Sequence, residues 1–257
     1  NLKSLDGGFF TAEDADSEGE EGKFYFWTKD EIISILGNEN SKIFIDVFNI
    51  NENGNFENEL TGQKNGNNIP HLSASLNNLA GKYGLNSNEL KILVDKNRSS
   101  LLNHRDKRTR PLRDEKILTD WNGLMIAALA IAGRVFNDNS YILSAEKCFG
   151  FIRNNLTTKD GTLFHRYCDG EVRYNGNLDD YAFLIWGLLE LYRSSFNVDY
   201  LLSAKELLDK SIELFHDEKS GGFYFSDKNE IDLSTRSKIF YDSAIPSGNS
   251  IMLHNLI

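Results

Sequence analysis

Short polar clusters stand at the starts of apolar segments: Thr119-Asp120-Trp121-Asn122, Asp179-Asp180-Tyr181 and Ser247-Gly248-Asn249. Asp, Ser and Thr are favoured helix N-caps, worth about 1 kcal/mol each, so capping alone accounts for one such side chain per helix. In Asp179-Asp180 only one carboxylate can cap, which frees its neighbour to face whatever lies at the helix mouth. If these starts share one end of the structure, carboxylates, amides and the rings of Trp121 and Tyr181 converge on one concavity. Aromatic faces suit sugar rings, and carboxylates or amides suit hydroxyls. Two carboxylates roughly 5 to 9 Å apart are also what glycoside hydrolysis uses, one as acid and one as base or nucleophile. Asp179, Asp180 and Asp120 are therefore the candidate catalytic residues. The acid would be whichever of Asp179 and Asp180 does not cap, because burial beside its charged twin raises its pKa. Trp121, Asn122, Tyr181 and Asn249 are the candidate substrate contacts.

A second cluster is the acidic run Glu13 to Gly22, set between strand-like Phe9-Phe10-Thr11 and Lys23-Phe24-Tyr25-Phe26-Trp27. Asp14, Asp16, Glu18 and Gly19 imitate the opening of a calcium loop. Tyr25 holds the place of the bidentate glutamate, so no metal is assigned. The run reads as a charged hairpin tip. A further reading folds it over the rim, so that Asp14, Asp16 or Glu18 joins the substrate contacts. His71, His104, His165, His216 and His254 show no HxxxH or HExxH spacing. His165 follows a strand and could reach the rim as an acid or base, but it is read first as a surface histidine. No GxGxxG, P-loop or GxSxG motif occurs, so nucleotide binding and serine hydrolysis find no support and no cofactor is called for.

The elements that must position these groups repeat. Trp121 to Leu156 matches Asp180 to Phe215 in pattern: Phe136-Asn137 falls on Phe196-Asn197, and Ser144-Ala145 falls near Ser203-Ala204, an offset of about sixty residues. In each copy the first helix is apolar nearly all round and must be buried on most faces. The second is amphipathic, with Ile142, Ala145, Cys148, Phe149 and Ile152 forming one stripe and Leu201, Ala204, Leu208, Ile212 and Phe215 its counterpart. That alternation predicts two layers, inner helices walled in by outer ones. Gly-aromatic turns follow the outer helices at Asp160-Gly161-Thr162-Leu163-Phe164 and Gly221-Gly222-Phe223-Tyr224-Phe225, with Gly7-Gly8-Phe9-Phe10 of the same form. Short hairpins are thus expected on one rim, and a third inner helix is expected from Ser247. Towards the N-terminus, helices are expected at Asp30 to Leu36, Lys42 to Phe48 and Asn88 to Arg108, around an Asn/Gly-rich loop at Asn49 to Asn68.

Composition is that of a globular chain, 257 residues with 40% hydrophobic and 26% charged. The net charge of −10 repels nucleic acid and anionic lipid, so neither is a natural partner. The basic stretch Arg105, Lys107, Arg108, Arg110 and Arg113 has no interleaved aromatic residues to stack bases and reads as a solvated connector. Cys148 and Cys168 form no CxxC pair, which suits a reducing, cytoplasmic setting. No signal peptide or apolar run of spanning length is present. The chain lacks an initiator Met and ends inside a predicted helix, and it is expected to be an excerpt of a longer protein.

Several motifs in order carry a resemblance: Ala12-Glu13-Asp14-Ala15-Asp16-Ser17-Glu18-Gly19, Gly22 to Trp27, Lys116 to Met125, Leu178-Asp179-Asp180-Tyr181-Ala182 and Pro246-Ser247-Gly248-Asn249-Ser250. Over essentially the whole chain the sequence resembles the thioredoxin-domain-bearing, spermatogenesis-associated protein family. The resemblance implies a mainly α fold, a partial (α/α)6 toroid of helical hairpins similar to six-hairpin glycosidases and N-acylglucosamine 2-epimerases. It implies that residues 1–257 are a fragment of one such toroid domain, with an N-terminal thioredoxin-like domain and the last hairpins lying outside it. Two functions follow as expectations. One is a carbohydrate-active domain, glycosidase-like or sugar-epimerase-like, taking a sugar or glycan. The other is a non-catalytic toroid that binds a partner and positions the thioredoxin-like redox domain. Epimerase chemistry asks for two histidines as acid and base, and the sequence places no such pair.

Overall fold

Alternating apolar and amphipathic stretches become helices, and short paired segments join them. The computed structural model is described for residues 1–57, 61–230 and 235–257; of the expected loop at Asn49 to Asn68, residues 58–60 lie outside this range. The described helices are α1 (Lys29–Val47), α2 (Leu76–Ala80), α3 (Ser87–Arg105), α4 (Thr119–Phe136), α5 (Asn139–Asn155), α6 (Leu178–Ser195), α7 (Val198–Phe215) and α8 (Gly248–Leu256). The strands are β1 (Ala12–Glu13), β2 (Asp16–Ser17), β3 (Glu20–Glu21), β4 (Arg113–Asp114), β5 (Ile117–Leu118), β6 (Phe164–Cys168) and β7 (Glu171–Asn175). The chain divides into two compact units, Asp14–Leu112 and Asn1–Glu13 with Arg113–Ile257.

The unit Asp14–Leu112 is built on α1 and α3. Gly37, at φ 75°, kinks α1 between its two expected halves. Asn86 caps α3 through a capping box with Glu89, and the helix ends at Arg105, before the expected Arg108. The basic stretch is a solvated connector only in part: Lys107, Arg110 and Arg113 are exposed, whereas Arg105 and Arg108 are half-buried. Arg108 donates to the carbonyls of Phe24 and Phe26 and to Glu31, and its guanidinium lies 4.1 Å from the Trp27 ring centroid. Arg105 and Arg110 lie over Phe24. The aromatic partners missing from the local sequence come from 80 residues upstream, where the chain folds back.

The second unit has the expected two-layer order. In it α4–α5 and α6–α7 form antiparallel hairpins, and α6 packs between α4 and α8. Tyr181, Ala182, Phe183, Leu184, Ile185, Leu188 and Leu191 of α6 are all buried, as an inner helix requires. Asn137 and Phe196 adopt left-handed conformations at the ends of α4 and α6, which lets each hairpin reverse direction. The inner helices approach through glycine. A methyl group on Gly123 would lie 2.6 Å from the backbone of Leu184 and Phe183, and one on Gly187 would lie 2.9 Å from the Gly123 carbonyl oxygen. Each Gly-aromatic turn closes a single antiparallel bridge: Lys3 with Phe9, Thr157 with Leu163 and His216 with Phe223. A sheet ordered β5-β6-β7 lies against the start of α4, with Leu118 opposite Arg166. This is a mainly α fold of α/α-toroid hairpins with short strands at one rim.

Candidate functional site

The starts of α4, α6 and α8 meet. Asn177 caps α6 in a capping box with Asp180 at N3, so neither Asp179 nor Asp180 is the N-cap. Asp180 Oδ2 accepts from the Asn177 N–H at 2.8 Å. Its Oδ1 accepts from the Asp120 N–H at 2.9 Å, across the close approach that Gly123 permits. One carboxylate thus satisfies backbone donors at the starts of two helices, and Leu118, the N-cap residue of α4, supplies no side-chain cap of its own. Asp179 accepts from the Gly248 N–H at the start of α8.

Opposite Asp180 stands a residue that the sequence reading left on the surface. The pairing of β5 with β6 fixes Arg166 against Leu118, and its neighbour His165 falls against the helix starts. His165 Nδ1 lies 3.0 and 3.1 Å from the two oxygens of Asp180. When Asp180 is ionised it can only accept, and Nδ1 then carries the proton and leaves Nε2 for other work. The His165 side chain is 24% exposed, whereas Asp180 is sealed. Among the described residues, Asp120, His165 and Asp180 bring a ligand atom each within 4.8 Å of one another, a spacing that a cation could bridge. The hydrogen bonds that Asp180 makes with His165 and with the Asp120 N–H already account for that closeness.

Burial and mutual repulsion set the protonation of the group. Burial, then the charge of Asp180, pushes Asp120 up to about 7. The same causes, in the same order, bring Asp179 to about 6. Burial also raises Asp180, against the pull of His165 and of its backbone donors. His165 is raised chiefly by its bond to Asp180. Near neutral pH the cluster therefore keeps protons that ordinary carboxylates would have lost.

The other sequence candidates divide. Trp121 is 46% exposed at the start of α4, free to offer a face to a ligand. Asn122, Tyr181 and Asn249 are buried and occupied. Asn122 donates to the Phe9 carbonyl and accepts its N–H; Asn249 does the same for Phe223; the Tyr181 hydroxyl accepts from the Leu163 N–H. Each inner helix thus fastens the turn that precedes it, and these three side chains are not open to substrate. Their residue types match a binding site because backbone fastening needs the same donors and acceptors. Asp14, Asp16 and Glu18 are exposed in the Asp14–Leu112 unit. There β2 and β3 form the expected hairpin, with Glu18 and Gly19 at positive φ in its tip. Asp14 accepts from the Asp16 N–H, and Glu18 pairs with Lys23 at 3.3 Å.

His165 also lines a cavity of about 330 Å³, together with Tyr174, Asn175, Asn177, Ser226 and Ser237. Tyr174 is 63% exposed. An open aromatic ring, amides and hydroxyls around an acid–base group make a pocket suited to a small polyhydroxylated molecule. Sequence alone gave no signal for these wall residues beyond their place in a hairpin.

No family model matches the chain. Spermatogenesis-associated protein 20 of Rattus norvegicus is 31% identical over 284 residues, an alignment that takes in 100% of this chain and 36% of the relative. The Homo sapiens protein of the same name is 30% identical over 284 residues, again with 100% of this chain and 36% of the relative. The chain thus spans little more than a third of the length of the relatives it matches. Among solved structures, cellobiose 2-epimerase from Spirochaeta thermophila superposes with a TM-score of 0.45 at 17% identity, covering 55% of this chain and 37% of that one. A family 105 glycoside hydrolase from C. acetobutylicum gives a TM-score of 0.45 at 12% identity, covering 96% of this chain and 61% of that one.

Proposed function

Because the chain is homologous along its whole length to spermatogenesis-associated protein 20, we propose that it supplies that family with an acid–base pocket for a carbohydrate. His165 is the group that meets substrate, Asp180 is its positioning residue, and Asp120 and Asp179 set the local charge. The observation that carries this reading is the forked hydrogen bond between His165 Nδ1 and both oxygens of buried Asp180 while the same ring lines the cavity. A histidine so held presents Nε2 to the pocket in a fixed tautomer, as a general acid or base must.

Proton transfer on a sugar, as in an isomerase-like reaction, fits the burial better than two-carboxylate hydrolysis. Asp180 is fully sealed and cannot reach an anomeric carbon as nucleophile. In this proposal His165 removes or returns a proton at a carbon beside a carbonyl. Asp180 holds the imidazolium that forms, and the neutral carboxyl of Asp120 keeps a second negative charge from competing for it. Trp121 contributes an aromatic face. A reducing, cytoplasmic setting belongs to the same proposal and suits the free thiols of Cys148 and Cys168.

The test is deuterium wash-in. The full-length protein is incubated in D₂O with a panel of reducing sugars, and NMR follows label at the carbon beside the carbonyl. Wild type should exchange it, and His165→Gln should lose at least about 100-fold. Exchange that is absent from wild type, or unchanged in His165→Gln, would overturn the proposal.

One observation favours a second reading, a non-catalytic toroid that positions a thioredoxin-like domain: Asp180, Asn122, Tyr181 and Asn249 each satisfy backbone groups. Under that reading His165→Gln changes melting temperature and nothing in the exchange assay.

A further inference from the structure

A different surface, in the Asp14–Leu112 unit, carries an inference that does not depend on the acid–base pocket. Lys91, Arg98 and Arg105 of α3 recur every seventh residue and so lie in one row along the helix. Beside that row run Val94, Leu101 and Leu102, and this face of α3 forms one wall of a groove of about 910 Å³. The segment from Ile69 to Leu76 forms the other wall, and Trp27, Phe44 and Phe48 line the groove between them. The apolar rim is open: Ile69, Leu72 and Leu102 are 47%, 50% and 46% exposed. Among the described residues Asp95 is the single acidic one of the lining, and it pairs weakly with Arg98 at 3.4 Å, both groups being exposed. Arg105 Nε is buried with no hydrogen-bond partner among the described residues. A cationic row over an apolar floor stands out on a chain whose net charge is −10.

We infer that this groove docks an amphipathic helix whose apolar stripe lies between α3 and the Ile69–Leu76 wall and whose acidic flank runs over Lys91, Arg98 and Arg105. The row from Lys91 to Arg105 covers about 21 Å at the rise of an α-helix, enough to meet acids placed two turns apart on a partner helix. Concavity and periodicity select this occupant over a lipid surface. A bilayer is met by protruding apolar groups, not by a trough between two walls, and headgroups have no seven-residue spacing to match. The acidic remainder of the chain would also repel an anionic membrane.

The probe is a synthetic, end-blocked helical peptide of about eighteen residues with a leucine stripe and glutamate at every seventh position. Its control has lysine in place of each glutamate, and binding to the full chain is read by fluorescence anisotropy. The glutamate peptide should bind at least tenfold more tightly at low salt, with the gap closing as salt rises. The double variant Lys91→Glu/Arg98→Glu changes only exposed side chains, should keep the fold by circular dichroism, and should reverse the preference. Leu102→Asp should weaken both peptides. Equal affinity for the two peptides, no binding of the glutamate peptide, an unchanged preference in the double variant, or capture by phosphatidylglycerol vesicles in place of the peptide would each overturn the inference.

Discussion

At residue scale, the chemistry of this chain concerns protons at Asp120, Asp179, Asp180 and His165. Asp120 sits at about 7 because it is buried against Asp180, so the folded state holds its proton where the unfolded chain, near 3.8, has released it. A group raised in this way gives a stability contribution that is full below the unfolded pKa and lost as pH rises through the folded one. Asp120 therefore favours the fold at about pH 4 and opposes it by about pH 8, with the change running between. Asp120→Asn keeps an oxygen for the Trp121 N–H and cannot ionise. Its stability relative to wild type should rise by on the order of 2 to 4 kcal/mol between those pH values, read by urea denaturation at each. A difference that stays flat with pH would contradict the assignment. The imidazole of His165 is raised by Asp180, and its NMR titration should move down toward the ordinary histidine value in Asp180→Asn. A titration that stays put would remove Asp180 as its positioning residue.

At the scale of elements, glycine sets how closely the inner helices approach, and that approach brings Asp120 and Asp180 within a hydrogen bond. Gly123→Ala would drive a methyl group into the backbone of α6, costing about 1 to 3 kcal/mol or more in a thermal melt. It should also part the two aspartates, so that Asp120 titrates nearer an ordinary carboxylate. A stable variant with an unmoved Asp120 titration would show that the contact does not depend on Gly123. A methyl group on Gly248 would meet Asp179 Oδ1 and Leu178, so Gly248→Ala should shift the Asp179 titration and leave Asp120 in place. The helix types were readable in sequence because inner and outer helices bury different fractions of their surface, but the buried face of α7 was not: of the expected stripe Leu201 and Ile212 are exposed, while Leu207, Ser211 and Leu214 are buried. The meeting of Asp120 with Asp180 follows the sixty-residue repeat, which sets equivalent helices side by side. For His165 the sequence left two readings, the surface or the rim, because its side depends on which residue of β6 pairs with Leu118, and nothing local records that register. Asn122, Tyr181 and Asn249 misled for a physical reason: a helix start that fastens a buried turn and one that holds a sugar use the same donors and acceptors.

At the scale of the molecule, the two compact units differ in how far the sequence disclosed them. The hairpin unit announces itself by repetition. The Asp14–Leu112 unit has no repeat, and its assembly depends on Arg108 reaching back to Phe24, Phe26, Glu31 and Trp27, a long-range contact that a basic stretch does not advertise. Arg108→Ala should cost this unit on the order of 3 kcal/mol in urea denaturation, since it leaves two carbonyls and a carboxylate without their donor. Arg108→Lys should recover little, because an ammonium lacks the planar fork that serves several acceptors at once. Full recovery by lysine would mean that charge alone matters there.

The claim on which the rest depends is that the meeting helix starts keep a carboxyl group protonated near neutral pH. Infrared difference titration of the protein against Asp120→Asn reads that directly, through the carbonyl stretch of a neutral carboxylic acid. The account predicts a wild-type band that persists to about pH 7, with its Asp120 component missing from the variant. A wild-type spectrum with no such band above about pH 5, the range of ordinary aspartates, would contradict it.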